Sequence, residues 1–202
     1  MELINAELQQ DLNLVEDRLR DLLTGSDLEQ AVNTLCLNTV EAGGKRLRPS
    51  LALLSWYALN RGADHEEIIN FASSIELLHT ATLIHDDVID RASYRRGVKT
   101  INETEGNHIA VLAGDYLFTR CFFSIQEIEN RKIVALLNET LKALVSGEIN
   151  QLKHNGDLGI TLADYENTIY CKTGALFELA AAGPAYLSQQ SQEICQDRKS
   201  VV

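Results

Sequence analysis

IELLHTATLIHDDVID, residues 75–90, sets an apolar helical run directly before three aspartates that fall within five positions. At 100° per residue, His79, Asp86 and Asp90 lie within about a 60° stripe of one helix, with Asp87 just off it. One face is thus apolar for two turns and then carries carboxylates. Carboxylates at i and i+4 repel each other, by about a few tenths of a kcal/mol when exposed and by more when partly buried, so something positive has to offset them. One reading is a solvated helix end paired with Arg91, Arg95 or Arg96; the other is a metal ion. The apolar run places the aspartates at the mouth of a cavity, and no basic residue stands at i+4 from Asp86 or Asp90, the two on the stripe. Both points favour the metal. Short hard-oxygen ligands suit Mg²⁺, which keeps several waters and shares phosphate oxygens.

The same three- and four-residue apolar spacing runs through nearly the whole chain, and the only prolines are Pro49 and Pro184. It predicts a first helix over Leu3–Leu23 and a second over Leu28–Ala42 that ends at Gly43-Gly44. Pro49 opens a third helix reaching Asn60. Asp64 and Glu67, as a capping box, open a fourth that runs to Arg91. The polar stretch SYRRGVKTINETEGN reads as a loop carrying arginines. Asn107 is expected to cap a helix to Ile128, and Asn130 one to Lys153. Thr161 precedes a last clear helix through Leu179, stopped by Gly183-Pro184, and the last residues of the tail after it show neither helical stripe nor carboxylate pair. With no internal repeat, the working architecture is a single all-helical domain.

Bulk properties agree. The chain has 202 residues with 45% hydrophobic content, enough for a real core, and a formal charge of -11. That charge argues against nucleic acid as a partner, since phosphate backbones call for a net basic footprint. The four cysteines form no CxxC pair, and the acidic N-terminus lacks the pattern of a signal peptide. No run of about 18 apolar residues suggests a transmembrane segment. A soluble cytoplasmic protein is expected.

Against this acidic background the stretch EAGGKRLRP, residues 41–49, concentrates Lys45, Arg46 and Arg48 behind two glycines. They are either solvated cations near a helix C-terminus or an anion site. Together with Arg95-Arg96 and the carboxylate pair, they imply two phosphate-bearing substrates.

GGKRLRP at 43–49, ELLHTATLIHDDVIDRASYRRG at 76–97, AGDYLF at 113–118 and KTGALFELAA at 172–181 resemble, in order and spacing, the trans-polyprenyl diphosphate synthases. The resemblance covers nearly the whole chain. It implies the all-α isoprenoid synthase fold, with helices around a central cavity, and a homodimer. It also implies Mg²⁺-dependent head-to-tail condensation of isopentenyl diphosphate with an allylic diphosphate. Carried over by position, Asp86 and Asp90 bind Mg²⁺ with Asp87 assisting. Lys45, Arg48, His79 and Arg96 hold isopentenyl diphosphate, and Arg95 the allylic diphosphate. Lys172 and Thr173 touch the allylic diphosphate and the nearby carbocation. Small residues at Ala81 and Thr82, where the family places bulky aromatics to close the cavity floor, imply a product longer than farnesyl.

The bottom-up reading of several residues stays open beside this. His79 alone reads as a core histidine, and Lys172-Thr173-Gly174 as a helix irregularity. Glu148 and Gln151 read as a solvated face, Trp56 and Tyr57 as packing. The family's second aspartate-rich motif, FQxxDD, does not occur in the 202 residues, which are therefore expected to be the N-terminal portion of the domain with C-terminal helices missing and activity of the chain alone in question. Two alternatives accompany the enzyme reading: a non-catalytic diphosphate-binding partner subunit of another prenyltransferase, and a ligand-free helical scaffold. A terpene cyclase fits less well, having no need of GGKRLRP for a second diphosphate.

Overall fold

The computed structural model describes residues 2–25, 29–157 and 159–199. Its elements follow the apolar periodicity: α1 (Glu2–Leu22), α2 (Gln30–Glu41), α3 (Leu47–Ala58), α4 (His65–Ile89), a short hairpin of β1 (Tyr94–Arg95) and β2 (Val98–Lys99), then α5 (Ile101–Thr104), α6 (Asn107–Gln126), α7 (Arg131–Lys153), α8 (Leu162–Ile169), a π-turn over Tyr170–Gly174, α9 (Ala175–Leu187) and α10 (Gln192–Lys199). The all-α class is as expected, and the hairpin is the only sheet among the described residues. The expected start of the second helix, Leu28, lies outside the described residues, as do the last three positions of the tail.

These residues group into two compact units, one of 1–50 and 69–128, the other of 51–68 and 129–202. In the first, Val15, Leu19 and Leu22 of α1 bury the face their spacing predicts, and the Cys36 thiol of α2 donates to the Ala113 carbonyl of α6 at 3.5 Å. α4 is buried nearly all round from Ile68 to Leu78, which is how a central helix differs from an amphipathic surface one. Its polar Ser73 and Ser74 are accommodated because each hydroxyl donates back to a carbonyl one turn earlier, at 2.8 and 2.7 Å. In the second unit, Ile133, Leu136 and Leu137 of α7 and Leu176 to Ala185 of α9 form most of the core.

Helix starts largely obey side-chain chemistry. Asn130 accepts from the Lys132 and Ile133 amides, Thr161 and Asp164 form a capping box, and Asp64 accepts from the Glu66 amide at 2.8 Å. Four expectations need correction. Asn107 is the first residue of α6 rather than its cap, because Gly106, at φ 86, takes the cap position. The stretch after Asp90 is a hairpin and a short helix, turned by Arg96 (φ 52) and Gly97 (φ 81), the pair of positive φ values that a tight hairpin turn requires. α9 continues through Gly183-Pro184 to Leu187: near-complete burial of this helix outweighs the hydrogen bond and the fit that the proline ring costs. The tail forms α10, packed on α9 with Cys195 buried, a stripe too short to stand out in sequence.

Candidate functional site

The first cluster is built where α2 ends. Gly43 (φ 100) and Gly44 (φ 154) turn the chain toward α3, and a Cβ on Gly44 would stand 2.8 Å from Arg96 Nη1. Glycine therefore lets the arginine of the hairpin turn come against this backbone. Lys45, Arg48, His79 and Arg96 then line one pocket of about 240 Å³, with Gly44, Arg46, Leu47 and Glu76. Four residues singled out in sequence for one anion are thus brought together.

Arg46 has a different task from its neighbours. Its guanidinium is shielded, meets Glu76 at 3.0 Å and Glu16 at 3.1 Å, and donates to the Val40 carbonyl at 2.8 Å. Burial works against its charge, but bonding to Glu16 and the field of Glu76 outweigh that and raise its pKa. Arg46 and the two carboxylates brace α1, α2 and α4, which leaves Lys45, Arg48 and Arg96 as the cations facing the pocket. Arg48 Nη1 lies 3.1 Å from His79 Nε2. A guanidinium only donates, so Nε2 accepts, and the ring stays neutral. Burial first, then Arg48, Arg96, Arg95 and Arg46, push the His79 pKa down to about 3.

The acidic end of α4 is arranged otherwise. Asp87 is buried and accepts from Arg95 Nε at 2.9 Å and Nη2 at 2.8 Å. That bond, ahead of any desolvation, raises the Arg95 pKa. Both line a second pocket of about 320 Å³ floored by Leu35, Leu83, Ile84 and Ile101. Asp86, half-buried, and Asp90, exposed, remain on the stripe below His79. Among the described residues no group of three or more His, Cys, Asp or Glu is gathered as a ready metal cage. Two carboxylates one turn apart nevertheless fit Mg²⁺, which is commonly held by one or two carboxylates plus substrate phosphates and waters.

Lys172 and Thr173 lie in the π-turn of the second unit. Thr173 is exposed, and Lys172 Nζ meets Glu148 Oε2 at 3.0 Å. The solvated-face reading of Glu148 is thereby corrected, while Gln151 is exposed as expected. Trp56 is packing: buried, with its Nε1 donating to the Ala63 carbonyl at 3.1 Å. Ala81 is fully buried, and the Thr82 hydroxyl donates to the His79 carbonyl at 2.7 Å. No described helix is long and apolar enough to cross a membrane.

The family model described as polyprenyl synthetase matches residues 29–202. The chain is 38% identical over 181 residues to octaprenyl diphosphate synthase of Escherichia coli, covering 90% of this chain and 55% of that one. It is 36% identical over 197 residues to the chloroplastic solanesyl-diphosphate synthase 2 of Oryza sativa, covering 92% and 48%. It superimposes with a TM-score of 0.91 and 30% identity on the crystal structure of a decaprenyl diphosphate synthase from Rhodobacter capsulatus, over 98% of this chain and 60% of that one. The chain spans about half the length of these two curated relatives.

Proposed function

The chain belongs to the polyprenyl synthetase family, and on that premise we propose that it serves the head-to-tail condensation of isopentenyl diphosphate with an allylic diphosphate, dependent on Mg²⁺ and yielding a long-chain all-trans polyprenyl diphosphate. One observation carries the reading. A single stripe of α4 presents His79 in the cation pocket and, seven residues on, the Asp86 and Asp90 pair, about 10 Å away along the helix axis. Two phosphate sites at that spacing suit two diphosphates whose carbon ends must meet.

In this reading Lys45, Arg48, His79 and Arg96 hold isopentenyl diphosphate. His79, neutral near pH 7, accepts from Arg48 and so fixes its direction while lining the same pocket. Asp86 and Asp90 hold Mg²⁺ and with it the allylic diphosphate, and Asp87 assists through its grip on Arg95, which faces the same substrate. Bound there, the metal supplies the positive charge that a departing diphosphate needs. Lys172 and Thr173 contact the allylic diphosphate and the cation left behind. Small side chains at Ala81 and Thr82 support a product longer than farnesyl, in keeping with the names of the relatives.

That residues 1–202 form the N-terminal portion of one prenyltransferase domain, acting in the cytoplasm, is part of the same proposal. So is a homodimer, supported by Ile109, Leu112, Phe122 and Phe123, which α6 leaves exposed. The test is incorporation of labelled isopentenyl diphosphate with farnesyl diphosphate and Mg²⁺. A product longer than the primer, lost in Asp86→Ala, is expected. Labelled product made equally well by Asp86→Ala or without divalent metal would overturn the assignment.

A further inference from the structure

Lys172 does not sit on a regular helix. Between α8 and α9 the backbone widens into the π-turn, and one extra residue in a turn redirects the side chains around it by about 100°. Two contacts fix that geometry. Across the turn, the Tyr170 hydroxyl donates to Glu178 Oε2 at 2.6 Å. From outside it, α7 approaches so closely that a Cβ on Gly147 would lie 2.5 Å from the Cys171 Cβ and 3.2 Å from the Lys172 nitrogen. Glycine at 147 is what permits this approach. The next residue, Glu148, consequently reaches Lys172, and its side chain is only 18% exposed, whereas Gln151 and Leu152 further along the same helix are exposed.

We propose that Glu148 is a positioning residue for Lys172: its carboxylate, delivered by the Gly147 contact, holds the lysine ammonium in the direction the π-turn gives it, so that the cation is oriented before an allylic diphosphate arrives. The inference rests on the assignment of Lys172 to that diphosphate made above. A lysine head on a flexible four-carbon stem loses substantial rotamer freedom when it is fixed. An ion pair formed beforehand bears part of that ordering cost within the folded protein.

Competitive acylation of the 202-residue chain with an N-hydroxysuccinimide ester, read by peptide mass spectrometry, compares Lys172 with the other lysines. Lys172 is expected to label several-fold faster in Glu148→Gln than in wild type and to return toward the wild-type rate in Glu148→Asp, with Lys45, Lys99 and Lys142 unchanged. Equal Lys172 labelling in wild type and Glu148→Gln overturns the proposal. So does a rise spread over all lysines, the mark of a purely structural role. A second arm adds Mg²⁺ and farnesyl diphosphate, which should protect Lys172 in wild type and protect it less in Glu148→Gln; full protection in Glu148→Gln overturns the positioning role. Faster labelling of Glu148→Gln with no protection of wild type upholds the ion pair and overturns only the assignment of Lys172 to the allylic diphosphate.

Discussion

The two ends of the stripe on α4 are built by opposite means. At the His79 end the three arginines are each held in place: Arg46 is braced by Glu16 and Glu76, Arg48 is directed by a neutral histidine, and Arg96 is seated against a glycine backbone. At the Asp86 end two carboxylates stand one turn apart, and Arg95, the nearby arginine of the hairpin, is bound bidentately by Asp87 on the adjoining face. The His79 end is preorganised by the protein, whereas in the proposed function the Asp86 end is completed by a bound cation. In the proposed function this difference lets one helix serve two anions of similar charge, one met by fixed guanidinium groups and the other through a metal ion.

Variants that remove one end and spare the other break this contrast most sharply. Asp86→Ala combined with Asp90→Ala should weaken Mg²⁺-dependent binding of farnesyl diphosphate by about a hundredfold or more, because the charge stabilisation from the metal is worth several kcal/mol. Isopentenyl diphosphate binding, read in the same calorimeter, should be unchanged. Glu76→Ala tests the brace. Removing one member of a largely buried ion pair costs about 3 kcal/mol, so the urea midpoint should fall, although Glu16 limits the loss. Arg48→Ala should lower isopentenyl diphosphate affinity about 30-fold, within the range for a charged hydrogen bond, with farnesyl diphosphate binding retained.

The neutral histidine adds a pH signature to the preorganised end. Its folded pKa of about 3 lies below its ordinary value of 6.5, so the unfolded chain binds the extra proton between those limits. Stability from this group is complete above pH 6.5 and is lost as pH falls toward 3, with a slope approaching about 1.4 kcal/mol per pH unit. His79→Gln should flatten that slope in urea titrations from pH 6.5 to 4. The smallest effect expected is at Thr82, which is half-buried. Thr82→Phe should shorten the product on chromatography while leaving isopentenyl diphosphate affinity unchanged. Ala81→Phe is the less clean variant, since Ala81 is fully buried and a large ring there overpacks the core.

The sequence made the helices legible because periodicity and capping chemistry are local, and Asn130 and Thr161 announce their helices through side chains that accept the first free amides. What it concealed depended on contacts between distant segments. Arg46 and Arg48 are chemically alike two positions apart, and only the placement of Glu16 and Glu76 shows which is brace and which faces the pocket. The hairpin escaped notice because its turn is Arg-Gly rather than the usual Asn-Gly. Glu148 read as solvated because spacing along α7 says nothing of a π-turn pressed against Gly147. Pro184 misled for a related reason: proline propensity is a local penalty, and burial of α9 overrode it.

The most direct test is a pair of calorimetric titrations of the wild-type chain, one with isopentenyl diphosphate and one with farnesyl diphosphate, each with and without Mg²⁺. A preorganised cation pocket beside a metal-dependent carboxylate pair predicts isopentenyl diphosphate binding that does not require Mg²⁺ and farnesyl diphosphate binding that does. Isopentenyl diphosphate that binds only with Mg²⁺, or farnesyl diphosphate that binds equally well without it, would contradict the division of labour along α4.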